Sequence, residues 1–465
     1  MASELWALPA IELAARFARG ETTPLEVLAA VLARMDRVNP LLNAVIARDD
    51  EAARAMAAAS TARWAAGAPL SRLDGVPFTV KDNIPAAGLP TSWGSAAFRP
   101  LAPEGDELPV ARLRAAGAVL LGKTNVPEFT LQGYTDNAVF GPTRNPWNTA
   151  LTPGGSSGGA VAAVAAGIGP FAIGTDGGGS IRRPASHAGL VGLKPGLGRV
   201  ARRDGLPAIL LDYETICPVA RNVADVVAVM EIIARPEDGD PASLGQAPFS
   251  PLPAPVCRIL YVPQFGDHPV DPEIAASTEA VAGALAGLGH RVETGKAPFD
   301  VEAVARIQAT VSQAGLAWLV AEYGIAPAAA SLREMAAAGA ALPAAALFGA
   351  LDAAGALRRA LAAAFTTYDL ILTPAAAALP WPAAETHPAM IAGRPVGPRG
   401  HAVFTAFANI AGLPGIAVPG PRSARGLPIG VQIVGPRGAE AVLLALAGDL
   451  EARHGWGQAW PNLDD

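Results

Sequence analysis

Between residues 75 and 122 the chain changes periodicity twice. "GVPFTVKDN" reads as a buried strand, "ELPVARLRAAG" as a helix that Gly117 ends, and "AVLLG" as the next strand. Strands apolar on both faces need helices to cover them, so this alternation argues for an α/β layered fold. The pattern returns after residue 256 with the strand "CRILYV" and the helix "EIAASTEAVAGALAGLG". Two late strands, "YDLILTP" and "PIGVQIVG", are expected to return to the sheet laid down by the first half.

Local signals fix several elements. In "ETTPLEVLAAVLARMDRVNP", Thr23 is placed to cap a helix with Pro24 at its first position and Glu26 completing a capping box. That helix is expected to stop near Asn39-Pro40. "GGAVAAVAAG" is too small-sided for a surface helix and is read as a buried one, beginning just after a serine-glycine cluster. The Pro/Gly/Ser-rich stretch between about 236 and 256 reads as a linker, and the alanine-rich stretch 302 to 366 as mostly helical.

Composition narrows the function classes. A hydrophobic share of 51% with 16% charged residues indicates a well-buried core, not disorder. The 465 residues could form two or three average domains or one large α/β enzyme domain. With 41 acids against 35 bases and no Lys/Arg cluster beyond the pairs Arg182-Arg183 and Arg202-Arg203, nucleic acid is not expected as a direct ligand. Cys217 and Cys257 make no disulfide framework or metal-type spacing. The N-terminus lacks a secretory pattern, and the apolar stretch "AVAAVAAGIGPFAIG" is short for a membrane span and broken by Gly167, Gly169 and Pro170. A soluble, cytoplasmic protein with no membrane contact is expected.

Three motif matches compete. Gly117 to Thr124, "GAVLLGKT", fits the phosphate-loop pattern, but Ala118 to Leu121 belong in a buried strand where a phosphate cradle needs a loop. "GGSSG" offers Ser156 as the nucleophile of a hydrolase elbow, yet a Pro/Asn-rich loop precedes it instead of a strand. No histidine has an identifiable orienting acid; His187 reads as a hydrogen-bonded structural residue. The third possibility is a serine served by a neutral lysine. Lys81 ends an otherwise apolar strand, where burial could lower its pKa enough for it to accept a proton, unless it pairs with Asp82 or emerges at the strand's end.

"GVPFTVKDN", "TPGGSSGGAVAAVAAG" and "IGTDGGGSIRRPASHAGLVGLKP", with the spacing of Lys81, Ser156 and Ser180, closely resemble the amidase signature hydrolases. "GKTNVPEF" and "FGPTRNPWN" match further segments, so the resemblance runs through about residues 20 to 235 and reappears in the late strands. It implies one α/β/α sandwich domain, residues 1–465, with a large mixed central sheet. Within it lie an N-terminal helical segment (1–70), a signature core (71–235), a linker with a variable helical region (236–366) and a C-terminal return to the sheet (367–465). It also implies a cofactor-free, metal-free serine hydrolase of amide C–N bonds, acting on a small molecule as a monomer or homo-oligomer.

Ser180 would be the nucleophile, Ser156 a bridging serine whose peptide bond with Gly155 is cis, and Lys81 the base. Gly177, Gly178, Gly179 and Ser180 would form the oxyanion hole, whose backbone N–H donors can be worth about 3 kcal/mol each. Ser157 and Thr175 resemble supporting positions, and Asp176 and Arg182 partners that brace the loop. Leu131 and Gln132 should neighbour the acyl pocket, with Trp93, Phe140, Trp381 and Phe404 as candidate lining. Such a lining would be apolar and free of fixed charge, favouring neutral aryl acylamides or carbamates (urethanes), with ester cleavage as a side activity. The alternatives are a glutaminase-type A subunit of a tRNA-dependent amidotransferase and, in another class, a nucleotide-binding protein using Gly117–Thr124.

Overall fold

The structure is a computed structural model and describes residues 2–456 and 459–463. Its strands are β1 (Val45–Arg48), β2 (Pro77–Lys81), β3 (Val119–Thr124), β4 (Phe171–Asp176), β5 (Val191–Lys194), β6 (Thr215–Ala220), β7 (Arg258–Tyr261), β8 (Arg291–Thr294), β9 (Leu370–Pro374), β10 (Met390–Ile391), β11 (Arg394–Pro395), β12 (Gly415–Pro419) and β13 (Gly430–Val434). The helices of the first half are α1 (Ala10–Arg19), α2 (Pro24–Leu42), α3 (Asp50–Ala65), α4 (Leu108–Ala115), α5 (Gly158–Ala165), α6 (Arg182–Ala188) and α7 (Val223–Ile233). Those of the second half are α8 (Pro272–Gly287), α9 (Val301–Tyr323), α10 (Ala330–Ala340), α11 (Ala344–Thr367), α12 (Ala406–Ile410) and α13 (Glu440–His454).

Eleven strands make one sheet in the order β1-β3-β2-β4-β6-β5-β12-β13-β9-β7-β8, and β10 pairs with β11 apart from it. Strand β2 runs parallel to β3 and β4, and β7 parallel to β8 and β9, while the other neighbours are antiparallel. The sheet is therefore mixed, as the resemblance implied. The two halves of the chain meet where β5 pairs with β12.

Alternation along the strands assigns the layers. Ala172, Cys217, Val219 and Ala417 pack with Ala160, Val161 and Val164 of α5 and Ala185 of α6. Their sequence neighbours Phe171, Ile173, Ile216 and Ile416 belong to a second buried cluster with Val226 of α7 and Leu443 of α13. Side chains of successive strand residues point to opposite faces, so helices cover both. Helix α5 is buried at every position, which small side chains allow. At Gly159 a Cβ would lie 2.4 Å from the backbone nitrogen of Asn125, so only glycine lets this helix approach so closely.

The capping box of α2 is present: the Glu26 N–H donates to Thr23 Oγ1 at 3.2 Å and the Thr23 N–H to Glu26 Oε2 at 2.8 Å. The expected stop at Asn39-Pro40 is corrected, because α2 continues through Pro40 to Leu42. Only the last turn loses a bond there. Asn39 compensates, since its side chain accepts from the N–H groups of Ala44 and Val45 and donates to Val45 O, securing the exit into β1. The linker between α7 and β7 has no helix or strand, and residues 302–366 are mostly helical, in α9, α10 and α11. Among the described residues no single helix is long and apolar enough to cross a membrane.

Candidate active site

Strands β2 and β4 are adjacent, parallel and in register at Val80↔Ile173, so their C-terminal ends arrive together. That pairing carries Lys81 alongside Thr175 and Asp176. Lys81 Nζ donates to Ser156 Oγ at 2.8 Å, to Thr175 Oγ1 at 2.8 Å and to Thr175 O at 3.3 Å. Asp82 is not its partner, because that carboxylate accepts from Ser92 and Gly94. Burial pushes the Lys81 ammonium down to about 8, with Glu214 and Asp176 partly offsetting the loss of water.

The two serine-bearing segments precede two helices on the same face of the sheet. Ser156 and Ser157 lie just before α5, and the Gly155–Ser156 peptide is cis. Gly177 to Ser180 lie between β4 and α6. The Ser157 N–H donates to Ser180 O at 3.1 Å, and Ser157 Oγ donates to Thr175 O at 3.1 Å. The structure thus gathers Lys81, Ser156, Ser157, Thr175 and Ser180 into one cluster.

Asp176 anchors the glycine loop. Its carboxylate accepts from the Gly179 N–H at 2.6 Å, the Ile181 N–H at 3.2 Å, and Arg182 Nε and Nη2 at 3.0 and 2.9 Å. Burial alone would raise its pKa, but Arg182 outweighs this and holds the carboxyl far below the ordinary range. Arg182 is fully buried and also donates to Thr405 O, Asn409 and Gln432, fixing the start of α6 to α12 and β13. Gly179 requires correction as an oxyanion donor. Its N–H is already given to the Asp176 carboxylate.

A cavity of about 790 Å³ opens onto this loop, lined by Leu131, Gln132, Gly177, Gly178 and Ser180 from one side and by α9 from the other. Ser180, 8% exposed, reaches it, whereas Ser156 at 1% and Lys81 at 0% lie behind. Four expected lining residues are placed elsewhere. Phe404 is fully buried against Phe265, ring centroids 4.8 Å apart, and Trp381 packs on His401 at 4.6 Å. Phe140 is half-buried beside Asn43, and Trp93 sits behind Thr130, to which its indole N–H donates at 3.2 Å. Three of the four, Trp93, Trp381 and Phe404, are buried, as the burial energy of large rings favours. The expectation of a charge-free wall also fails, because Arg183, Glu214, Glu302 and Arg399 line the cavity.

The competing motifs take structural places. Lys123 of "GAVLLGKT" is buried in β3 and donates to Ile84 O and Thr91 Oγ1, so the segment is a strand and not a phosphate loop. His187 Nε2 lies 3.1 Å from Ala378 O, and burial lowers its pKa to about 4. Cys217 and Cys257 are unpaired. Sequence reasoning missed Asn83, which donates to Thr175 Oγ1 at 3.2 Å, and Asn409, which donates to Asp176 O at 2.8 Å. Asn83 could have been found, since it follows Lys81 by two residues at the strand end. Asn409 and Arg399 come from distant sequence and carry no local mark.

The amidase family profile matches residues 26–444. The A subunit of the glutamyl-tRNA(Gln) amidotransferase of Synechococcus sp. (strain CC9605) is 37% identical over 464 residues, covering 93% of this chain and 93% of its own. An acylamidase of Rhodococcus erythropolis is 34% identical over 467 residues, covering 98% and 97%. The crystal structure of a bacterial aryl acylamidase of the amidase signature family superposes with a TM-score of 0.89 at 28% identity, covering 97% of each chain.

Proposed function

The chain belongs to the amidase family and is a hydrolase acting on amides, and from that premise we propose that it cleaves small-molecule amides through an acyl-enzyme formed on Ser180. The observation that carries this reading is the ordering of the three groups: Ser180 opens to the cavity, while Ser156 bonded to Lys81 lies behind it. Neutral Lys81 takes the proton of Ser156, which takes that of Ser180 as its Oγ bonds to the substrate carbonyl carbon. The N–H groups of Gly177, Gly178 and Ser180 receive the resulting oxyanion. The proton returns through Ser156 to the leaving nitrogen as the C–N bond breaks. Water, deprotonated by the same relay, then releases the acid from Ser180.

Aryl acylamides suit this chemistry because an aromatic amine leaves more readily than an alkyl amine. N-aryl carbamates and esters present the same oxyanion and are included as slower substrates. A second reading, in which the chain serves an amidotransferase as its glutaminase component, is favoured by the 37% identity over nearly the whole chain. Kinetics of the purified single chain separate the two. The kcat/KM for an acyl 4-nitroanilide should exceed that for free glutamine by at least about a hundredfold, or roughly 2.7 kcal/mol of transition-state discrimination. Efficient glutamine hydrolysis with no action on anilides or carbamates would move the amidotransferase reading ahead.

A further inference from the structure

Arg399 follows the β10–β11 hairpin and faces the cavity. It stands over the glycine loop: a Cβ on Gly178 would lie 3.8 Å from Arg399 Nη2 and 3.4 Å from Gln308 Nε2. With a carbon-carbon bond of about 1.5 Å, this puts Nη2 no more than about 5.3 Å from the Gly178 Cα. Other arginines nearby are matched: Arg182 pairs with Asp176, Arg202 with Glu107 and Glu214, and Arg394 donates to Asp267 O. Arg399 is exposed at the cavity, and its side chain has no carboxylate or hydrogen-bond partner among the described residues.

The surrounding charges do not supply one. Glu214 is taken by Arg202 at 3.1 Å, Glu302 lies 3.1 Å from His268, and Asp267 makes no ion pair with Arg399. Arg183, 2% exposed, lines the same cavity; its Nη1 is held by Gly178 O and Thr405 Oγ1 and its Nη2 by Gly155 O at 3.3 Å, which leaves Nε without a hydrogen-bond partner. Two guanidiniums therefore meet the cavity beside Gly178 without an anion between them. Such a site favours a planar carboxylate, which can accept two parallel N–H bonds.

We propose that Arg399 is a specificity-determining residue that binds a carboxylate on the acyl part of the substrate, a few atoms from the scissile carbonyl. The inference rests on the amide-hydrolase reading above. In that reading the oxyanion occupies the loop N–H groups and the leaving nitrogen must face Ser156, which leaves the acyl chain to extend past Gly178 toward Arg399. Monoamides of short dicarboxylic acids have the required form.

The test compares the mono-4-nitroanilide of succinic acid with its methyl ester, using the purified full chain. The wild type should prefer the free acid by at least tenfold in kcat/KM, mostly through KM. The preference should fall toward one in Arg399→Gln and be partly retained in Arg399→Lys. A wild-type preference below threefold, or one that survives in Arg399→Gln, would overturn the proposal. Calorimetric titration with succinate provides a readout independent of turnover. Arg399→Gln should bind it at least tenfold more weakly, and equal binding would also overturn the proposal. If succinate binds through Arg399 but neither anilide is cleaved, the amide-hydrolase reading fails and the anion site stands.

Discussion

Lys81, Lys123 and Lys194 are all fully buried, and burial pushes each down to about 8, so a low pKa does not by itself mark the base. Their partners do. Lys194 donates to the carbonyls of Pro195 and Leu413 and Lys123 clamps the 84–91 loop, whereas Lys81 donates to Ser156 beside the glycine loop. If Lys81 is the base, turnover should rise with pH through about 8 and reach a plateau above it, because the protonated amine cannot accept. Lys81→Met should remove that rise and lower kcat by roughly a thousandfold, within the usual range for a lost general base. Stability carries a matching sign. The folded pKa lies below the ordinary 10.5, so between about 8 and 10.5 the unfolded chain binds more protons and wild-type stability rises with pH. Calorimetry should therefore show Lys81→Met no less stable than the wild type at pH 7, with any advantage shrinking by pH 9.5. Lys81 was legible because a lysine closing an apolar strand needs a reason. Arg399 was not, since one arginine in a Pro/Gly loop looks like any solvated charge.

At the scale of elements, the segment from β4 to α6 holds its shape through a carboxylate inside the turn and one glycine that cannot be replaced. Gly179 has φ +111, and a Cβ there would lie 2.1 Å from Thr405 Oγ1 and 2.2 Å from Arg183 Nη1. Gly178 has ordinary contacts, the nearest at 3.4 Å. Gly179→Ala is accordingly expected to lose at least ~2 kcal/mol in urea unfolding, and Gly178→Ala less than ~1 kcal/mol. Similar losses in the two variants would show that the loop is not held at Gly179. The run of three glycines signalled backbone facing a ligand, but not which N–H the loop keeps for itself; Asp176 decides that through folding back over three residues. Helix α2 teaches a related lesson. Pro40 reads as a stop, yet the helix ends two residues later, where the Asn39 side chain binds the N–H groups of Ala44 and Val45 that follow it.

Across the whole molecule, the alternation of strand and helix patterns was enough to give the layered α/β class, and the late strands do return to the sheet. The order of strands was not legible, because the join of β5 to β12 brings together residues more than two hundred apart and leaves no local trace. The same distance hid the far wall of the cavity, which α9 and the segment after β11 supply. The near wall and the cluster of Lys81, Ser156 and Ser180 come from the signature region, whose segments stand out in the sequence. The proposed chemistry stands on Ser180 being the nucleophile, and peptide mapping after reaction with a fluorophosphonate probe tests this most directly. The probe should be found on Ser180, Ser180→Ala should abolish labelling, and Ser156→Ala should label slowly at Ser180. Probe attached to Ser156 in the wild type, with labelling retained in Ser180→Ala, would contradict that assignment.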